Sequence, residues 1–122
     1  MAEILIVEDD DRYRNELATL VEKEGHKVYA ARNGEAGLEI LKKKHVDLVT
    51  LDLAMPKMDG ITFYYYLEET FRTHIPVVIV TSATHAAYPS NVRDFINKTE
   101  VGLPEIVKRI MQVLHDEGKT KN

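Results

Sequence analysis

The chain contains no cysteine, which removes disulfides, thiol nucleophiles and thiolate metal sites together and fits a reducing compartment. Long apolar runs are missing too. The sequence opens Met1-Ala2-Glu3 and passes into a four-residue run, Ile4-Leu5-Ile6-Val7, too short for the hydrophobic region of a signal peptide. No stretch reaches membrane length, so a cytoplasmic protein without membrane contact is expected. Basic patches are scarce: the formal net charge is -4, and Lys42-Lys43-Lys44 falls in the last turn of an expected helix, where cations complement the dipole. Nucleic acid is therefore not an expected partner. His26, His45, His74, His85 and His115 are scattered without metal-ligand spacing. There is no phosphate-cradling Gly-rich loop, internal repeat or low-complexity tract.

What is present is one domain's worth of core. A chain of 122 residues, 44% hydrophobic, suffices for one compact unit but not two; residues 1–117 are read as that unit and 118–122 as a flexible tail. Short runs rich in Ile, Val and Leu alternate with helical periodicity, the pattern of a parallel sheet covered on both faces. The expected strands are Ile4–Val7, Val28–Ala31, Val46–Leu51, Val77–Val80 and, more weakly, Asp94–Asn97. A first helix starts around Asp10 or Asp11 and ends near Gly25. A second follows Asn33-Gly34, a third follows Asp59-Gly60 with Phe63, Tyr64, Leu67 and Phe71 in its apolar stripe, and the last carries Leu103, Ile106, Val107, Ile110 and Leu114 with Pro104 in its first turn. Tyr64-Tyr65-Tyr66 cannot all face inward on a helix, so at least one ring is exposed. The fold class is α/β, a doubly wound five-stranded parallel sheet in the order 2-1-3-4-5.

In such a sheet the chemistry belongs outside the carboxyl ends of the strands, where the winding reverses. Glu8 and Asp9 end the first run and Asp52 ends the third, while Thr81 and Lys98 follow the fourth and fifth. Three carboxylates in one pocket supply hard oxygen ligands suited to Mg²⁺, with waters and a backbone carbonyl completing an octahedron. With its neighbours neutralised, an Asp52 oxygen becomes a nucleophile toward phosphorus. Lys98 supplies an ammonium for the transferring oxygens, and Thr81 a hydroxyl that could bond one of them.

The motifs Ile4-Leu5-Ile6-Val7-Glu8-Asp9-Asp10, Asp47 through Gly60 and Pro76-Val77-Val78-Ile79-Val80-Thr81-Ser82 resemble a response-regulator receiver domain over nearly the whole chain. The resemblance implies a two-component, CheY-like flavodoxin fold with Asp52 as phosphoacceptor and Mg²⁺ held by Asp9, Asp52, the backbone carbonyl of Ala54 and, through water, Glu8. It further implies Thr81 as switch hydroxyl, Lys98 as phosphate-contacting lysine and Phe95 as switch aromatic. The partners implied are a sensor histidine kinase or histidine phosphotransfer protein as donor and a downstream protein as target. Small residues after the acceptor and switch, Ala54 and Ala83, would leave water access open.

Two departures from the family pattern stand out. The stretch from Thr81 to Lys98 is shorter than usual and contains Pro89, so the helix expected between the fourth and fifth strands is short or absent. Thr99 stands where the family has proline after the lysine, and a trans peptide is expected there. The chain thus reads as a stand-alone receiver, a phosphoacceptor rather than an enzyme acting on other substrates. A degenerate receiver acting as a constitutive binding module is the alternative. A haloacid dehalogenase-type phosphatase is disfavoured, since its second acid would fall at Ala54.

Overall fold

A computed structural model describes residues 1–55, 58–71, 75–83 and 92–119. In chain order the elements are β1 (Glu3–Val7), α1 (Asp11–Lys23), β2 (Lys27–Ala31), α2 (Gly34–Lys43), β3 (Leu48–Leu51), α3 (Gly60–Phe71), β4 (Val77–Thr81), β5 (Asp94–Asn97) and α4 (Leu103–Asp116). The strands form one parallel sheet in the order β2-β1-β3-β4-β5, as the alternating pattern requires.

Both sheet faces are covered, and alternate residues of each strand serve opposite layers. From β1, Ile4 and Ile6 join Leu48, Val78, Val80 and Ile96 beneath α1 and α4, which contribute Leu17, Val21, Ile106, Ile110 and Leu114. Leu5 and Val7 join Val49, Leu51, Val77 and Ile79 on the other face, against Leu41 of α2 and Phe63, Tyr64 and Leu67 of α3. Each such side chain contributes about 1.5–3 kcal/mol on burial. Tyr65 and Tyr66 are exposed, as the helical spacing demanded.

Local chemistry sets the helix starts. The Asp10 side chain accepts the Tyr13 N–H at 3.0 Å and Asn33 Oδ1 accepts that of Ala36 at 2.9 Å, the N-cap geometry that satisfies an otherwise unpaired donor. Asp59 does the same for Thr62 at 2.8 Å. α1 is followed by Gly25 at φ 92, a left-handed conformation that suits glycine.

The third strand begins at Leu48 rather than Val46. Asp47 has its own bonds to the start of β1, its N–H to the Glu3 carbonyl at 2.7 Å and its Oδ2 accepting the Glu3 N–H at 2.8 Å. A side chain thus occupies the edge that a longer ladder would use. After α4, Gly118 and Lys119 close the helix end, with the Lys119 N–H bonded to the Leu114 carbonyl at 2.8 Å. The expectation of a short or missing helix after β4 concerns residues 84–91, which lie outside the described residues. The flanking residues 82–83 and 92–93 are not helical.

Candidate functional site at the carboxyl ends of the strands

The ladder carries β1 and β3 one residue past their ends. The Glu8 N–H bonds the Ala31 carbonyl at 3.0 Å and the Asp52 N–H bonds the Val7 carbonyl at 3.1 Å, so both carboxylates leave the sheet edge from fixed backbone. Both are buried, at 3% exposure each, whereas Asp9 is exposed. Glu8, Asp9 and Asp52 each offer one carboxylate oxygen within 4.8 Å of the others. Two buried anions side by side call for compensation. Lys98 supplies it, with Nζ 2.7 Å from Glu8 Oε1 and 3.4 Å from Asp52 Oδ2.

The remaining oxygens are also engaged. Thr81, fully buried at the end of β4, donates its Oγ1–H to Asp52 Oδ1 at 2.7 Å. The Ala54 N–H reaches the same oxygen at 3.2 Å, and the Ala83 N–H reaches Thr81 Oγ1 at 3.2 Å. Glu8 Oε2 accepts the Asp10 N–H at 3.0 Å. The Lys98 N–H is bonded to the Thr81 carbonyl at 2.9 Å, which ties the loop after β5 to the end of β4. The Lys98–Thr99 peptide is trans.

Burial drives the Glu8 carboxyl up to about 7, a trend that the Asp52 charge reinforces and that Lys98 and the Asp10 N–H oppose. Burial pulls Lys98 downward, but its bond to Glu8 and the charges of Asp52 and Glu8 outweigh that, leaving it above its ordinary value. Lys98 therefore stays charged around neutrality, and Glu8 is the member of the pair that titrates.

Of the residues singled out in the sequence, Glu8, Asp9, Asp52, Thr81 and Lys98 come together here, with Ala54 exposed beside Asp52. Phe95 stands apart from these bonds. It lies on β5 beside Ile79, half-buried on the face covered by α2 and α3. The donor set fits a hard divalent cation, since all three acidic groups are oxygen donors. Glu8 is held by Lys98 and a backbone N–H, which fits contact with such an ion through water.

Three neighbours were not evident from the residue pattern. Arg14 reaches back from α1 to donate to the Glu8 carbonyl at 2.8 Å. A Cβ on Gly60 would lie 2.5 Å from the Asp52 carbonyl oxygen and 2.6 Å from Leu53 Cα, so α3 starts flush against the backbone of residues 52–53. The Tyr13 ring lies under the Lys98 ammonium, 4.6 Å from Nζ to ring centroid. Tyr13 reads in sequence as one more apolar position of α1; its place in the first turn after an acidic strand end was the available signal.

The fold and strand-end site define a flavodoxin-like α/β protein whose acidic pocket lies at the switch point between β1 and β3. The family model of the response regulator receiver domain matches residues 4–111, and the chain belongs to that family. The transcriptional regulatory protein AfsQ1 of Streptomyces coelicolor is 33% identical over 82 residues, covering 67% of this chain and 36% of AfsQ1. The heme response regulator HssR of Staphylococcus aureus is 32% identical over 119 residues, covering 93% of this chain and 52% of HssR. The chain thus spans about half or less of the length of these relatives. A CheY-like receiver domain from Methanospirillum hungatei superposes with TM-score 0.87 at 22% identity, covering 98% of both chains. TrrA of Thermotoga maritima, crystallised with Mg²⁺ and BeF, superposes with TM-score 0.81 at 23% identity, covering 93% of this chain and 100% of that one. At such identities these two structures speak to the fold. Among the described residues, no helix is long and apolar enough to cross a membrane.

Proposed function

We propose that the chain receives a phosphoryl group on Asp52 from the phosphohistidine of a sensor histidine kinase or histidine phosphotransfer protein, in a Mg²⁺-dependent reaction, and signals through altered contacts with a downstream protein. The observation that carries this reading is the buried Asp52 carboxylate bonded by Thr81 at 2.7 Å, with the Lys98 ammonium 3.4 Å away and oxygens of Glu8 and Asp9 within 4.8 Å. Residues 1–117 would be the receiver.

In the step proposed, an Asp52 oxygen forms a bond to phosphorus as the bond from phosphorus to the imidazole nitrogen breaks, and the electron pair leaves with the imidazole. Lys98, already turned toward Asp52, would face the oxygens of the arriving group and stabilise their charge. Asp9, Asp52 and the Ala54 carbonyl would hold Mg²⁺ directly, and Glu8 through water. The ion would neutralise the pocket and polarise the phosphoryl oxygens. Once Asp52 is phosphorylated, Thr81 would lose its present acceptor, and its hydroxyl would turn to a phosphoryl oxygen. Because Thr81 Oγ1 also receives the Ala83 N–H and the Thr81 carbonyl receives that of Lys98, that turn would be felt in the loops after β4 and β5. Phe95 would follow as the switch aromatic. A coupling of about 1–3 kcal/mol shifts a binding equilibrium about 5- to 150-fold.

Incubation with acetyl phosphate and Mg²⁺ tests the reading. Hydroxylamine-labile label on the wild type, absent from Asp52→Ala and from samples with EDTA, is expected; equal labelling of Asp52→Ala would refute it. A constitutive binding module would be marked by no spectral response to Mg²⁺ and beryllofluoride.

A further inference from the structure

A lysine side chain has four rotatable bonds, and its backbone alone does not aim it. The backbone of Lys98 is fixed by its N–H bond to the Thr81 carbonyl at 2.9 Å. The next turn is occupied with its own contacts, Thr99 bonding Asn97 Oδ1 through both N–H at 2.9 Å and Oγ1 at 2.6 Å. Yet the Lys98 side chain is only 14% exposed, so something encloses it. On one side stand Glu8 and Asp52; on the other lies the Tyr13 ring, whose centroid is 4.6 Å from Nζ.

Tyr13 is itself held at both backbone and side chain. Its backbone N–H is held at 3.0 Å by the Asp10 cap, and its body packs against the core layer shared with Val101 and Leu103. The Tyr13 hydroxyl is buried and has no hydrogen-bond partner among the described residues. Burying an unpaired hydroxyl is unfavourable, so the contribution of this side chain comes from its aromatic face. An ammonium over such a face is attracted by the ring quadrupole, most strongly where water is excluded. With the ring in place, Nζ lies 2.7 Å from Glu8 Oε1 and 3.4 Å from Asp52 Oδ2.

We propose that Tyr13 is a positioning residue for Lys98: the face of its ring holds the ammonium against Glu8 and Asp52, where the oxygens of the transferred phosphoryl group arrive. The link to reaction rate rests on Asp52 being the acceptor; the positioning itself does not.

Tyr13→Phe, Tyr13→Leu and Tyr13→Met are each made with Lys98 intact and with Lys98→Ala. Proton NMR of the Lys98 side-chain methylenes reads the positioning without any phosphorylation. Upfield ring-current shifts are expected in the wild type and Tyr13→Phe, and their loss in Tyr13→Leu and Tyr13→Met. Labelling by acetyl phosphate with Mg²⁺ then reads the consequence: a slowing of about 3- to 30-fold in the two aliphatic variants, recovery in Tyr13→Phe, and no further slowing in the Lys98→Ala background. Thermal melts show which variants are folded, and Tyr13→Met keeps the bulk if Tyr13→Leu does not fold. Unchanged Lys98 shifts in the aliphatic variants, or equal slowing with and without Lys98, would overturn the assignment. Ring-current shifts in a wild-type protein that takes no label would leave the positioning standing and refute the acceptor role of Asp52.

Discussion

Asp52 Oδ1 is bonded by the Thr81 hydroxyl and the Ala54 N–H, and Oδ2 faces Lys98, so each change at this site removes a different compensation. Thr81→Ala leaves a buried carboxylate short of one charge-assisted bond, and a loss of about 1–3 kcal/mol is expected in urea unfolding at pH 7; unchanged stability would contradict the bond. Glu8 sets a pH dependence. With its carboxyl raised to about 7 from the ordinary 4.5, the folded chain keeps a proton that the unfolded chain has released between those values. The resulting stability is complete below about pH 4.5 and is lost as pH rises through about 7. Melting temperatures of the metal-free protein should decline across that window, and Glu8→Gln should remove this component; identical profiles for the two proteins would show that another group is responsible. That Glu8 and Asp52 end strands was readable from where the apolar runs stop. That Lys98 joins them followed from the expected sheet order, but that it sits 2.7 Å from Glu8 and farther, at 3.4 Å, from Asp52 was not readable, because side-chain distances are set only once β1, β3 and β5 share one sheet.

The helices act on the site through their first turns. Gly60 opens α3, its N–H bonding the Leu53 carbonyl at 3.1 Å, and any Cβ there runs into the backbone of Asp52 and Leu53. Gly34 opens α2, and the three atoms nearest to a Cβ there all belong to the Met58 side chain, Sδ at 2.9 Å and Cβ and Cγ at 3.0 Å. A thioether can swing aside where a backbone cannot. Gly60→Ala is therefore expected to cost about 1–3 kcal/mol and to slow Asp52 labelling, while Gly34→Ala stays well below that cost. Chemical denaturation of the two variants checks the order, and a Gly60→Ala protein as stable as wild type would remove the argument. Asp59-Gly60 reads in sequence as a turn and cap, which it is. The closeness of Gly60 to the backbone of Asp52 and Leu53 depends on the packing of α3 on the sheet and leaves no trace in spacing.

For the whole molecule, the sheet order puts the two acidic strand ends side by side, so that a metal ion bound there would be a ligand of the folded state alone. Mg²⁺ at about 100 times its dissociation constant should add about 2.7 kcal/mol of stability, seen as a higher melting temperature than in EDTA and removed largely by Asp9→Asn. No shift in the wild type would speak against the site. Sequence periodicity decided much of this level: runs such as Val77–Val80, apolar at every position, belong to strands buried on both faces, and alternating helices compel a parallel sheet with its site at the carboxyl ends. Local signals likewise marked the cap at Asn33 and narrowed that of α1 to Asp10 or Asp11, because a cap needs only residues three apart. Tertiary structure alone decided that β3 starts at Leu48, where the Asp47 side chain takes over the edge of β1, and that Tyr13 faces Lys98 across 85 positions of chain. The physical reason is range. Burial pattern and capping are properties of neighbours in sequence, whereas the pairing of an ammonium with a ring or two carboxylates exists only after separate strands and helices have packed together.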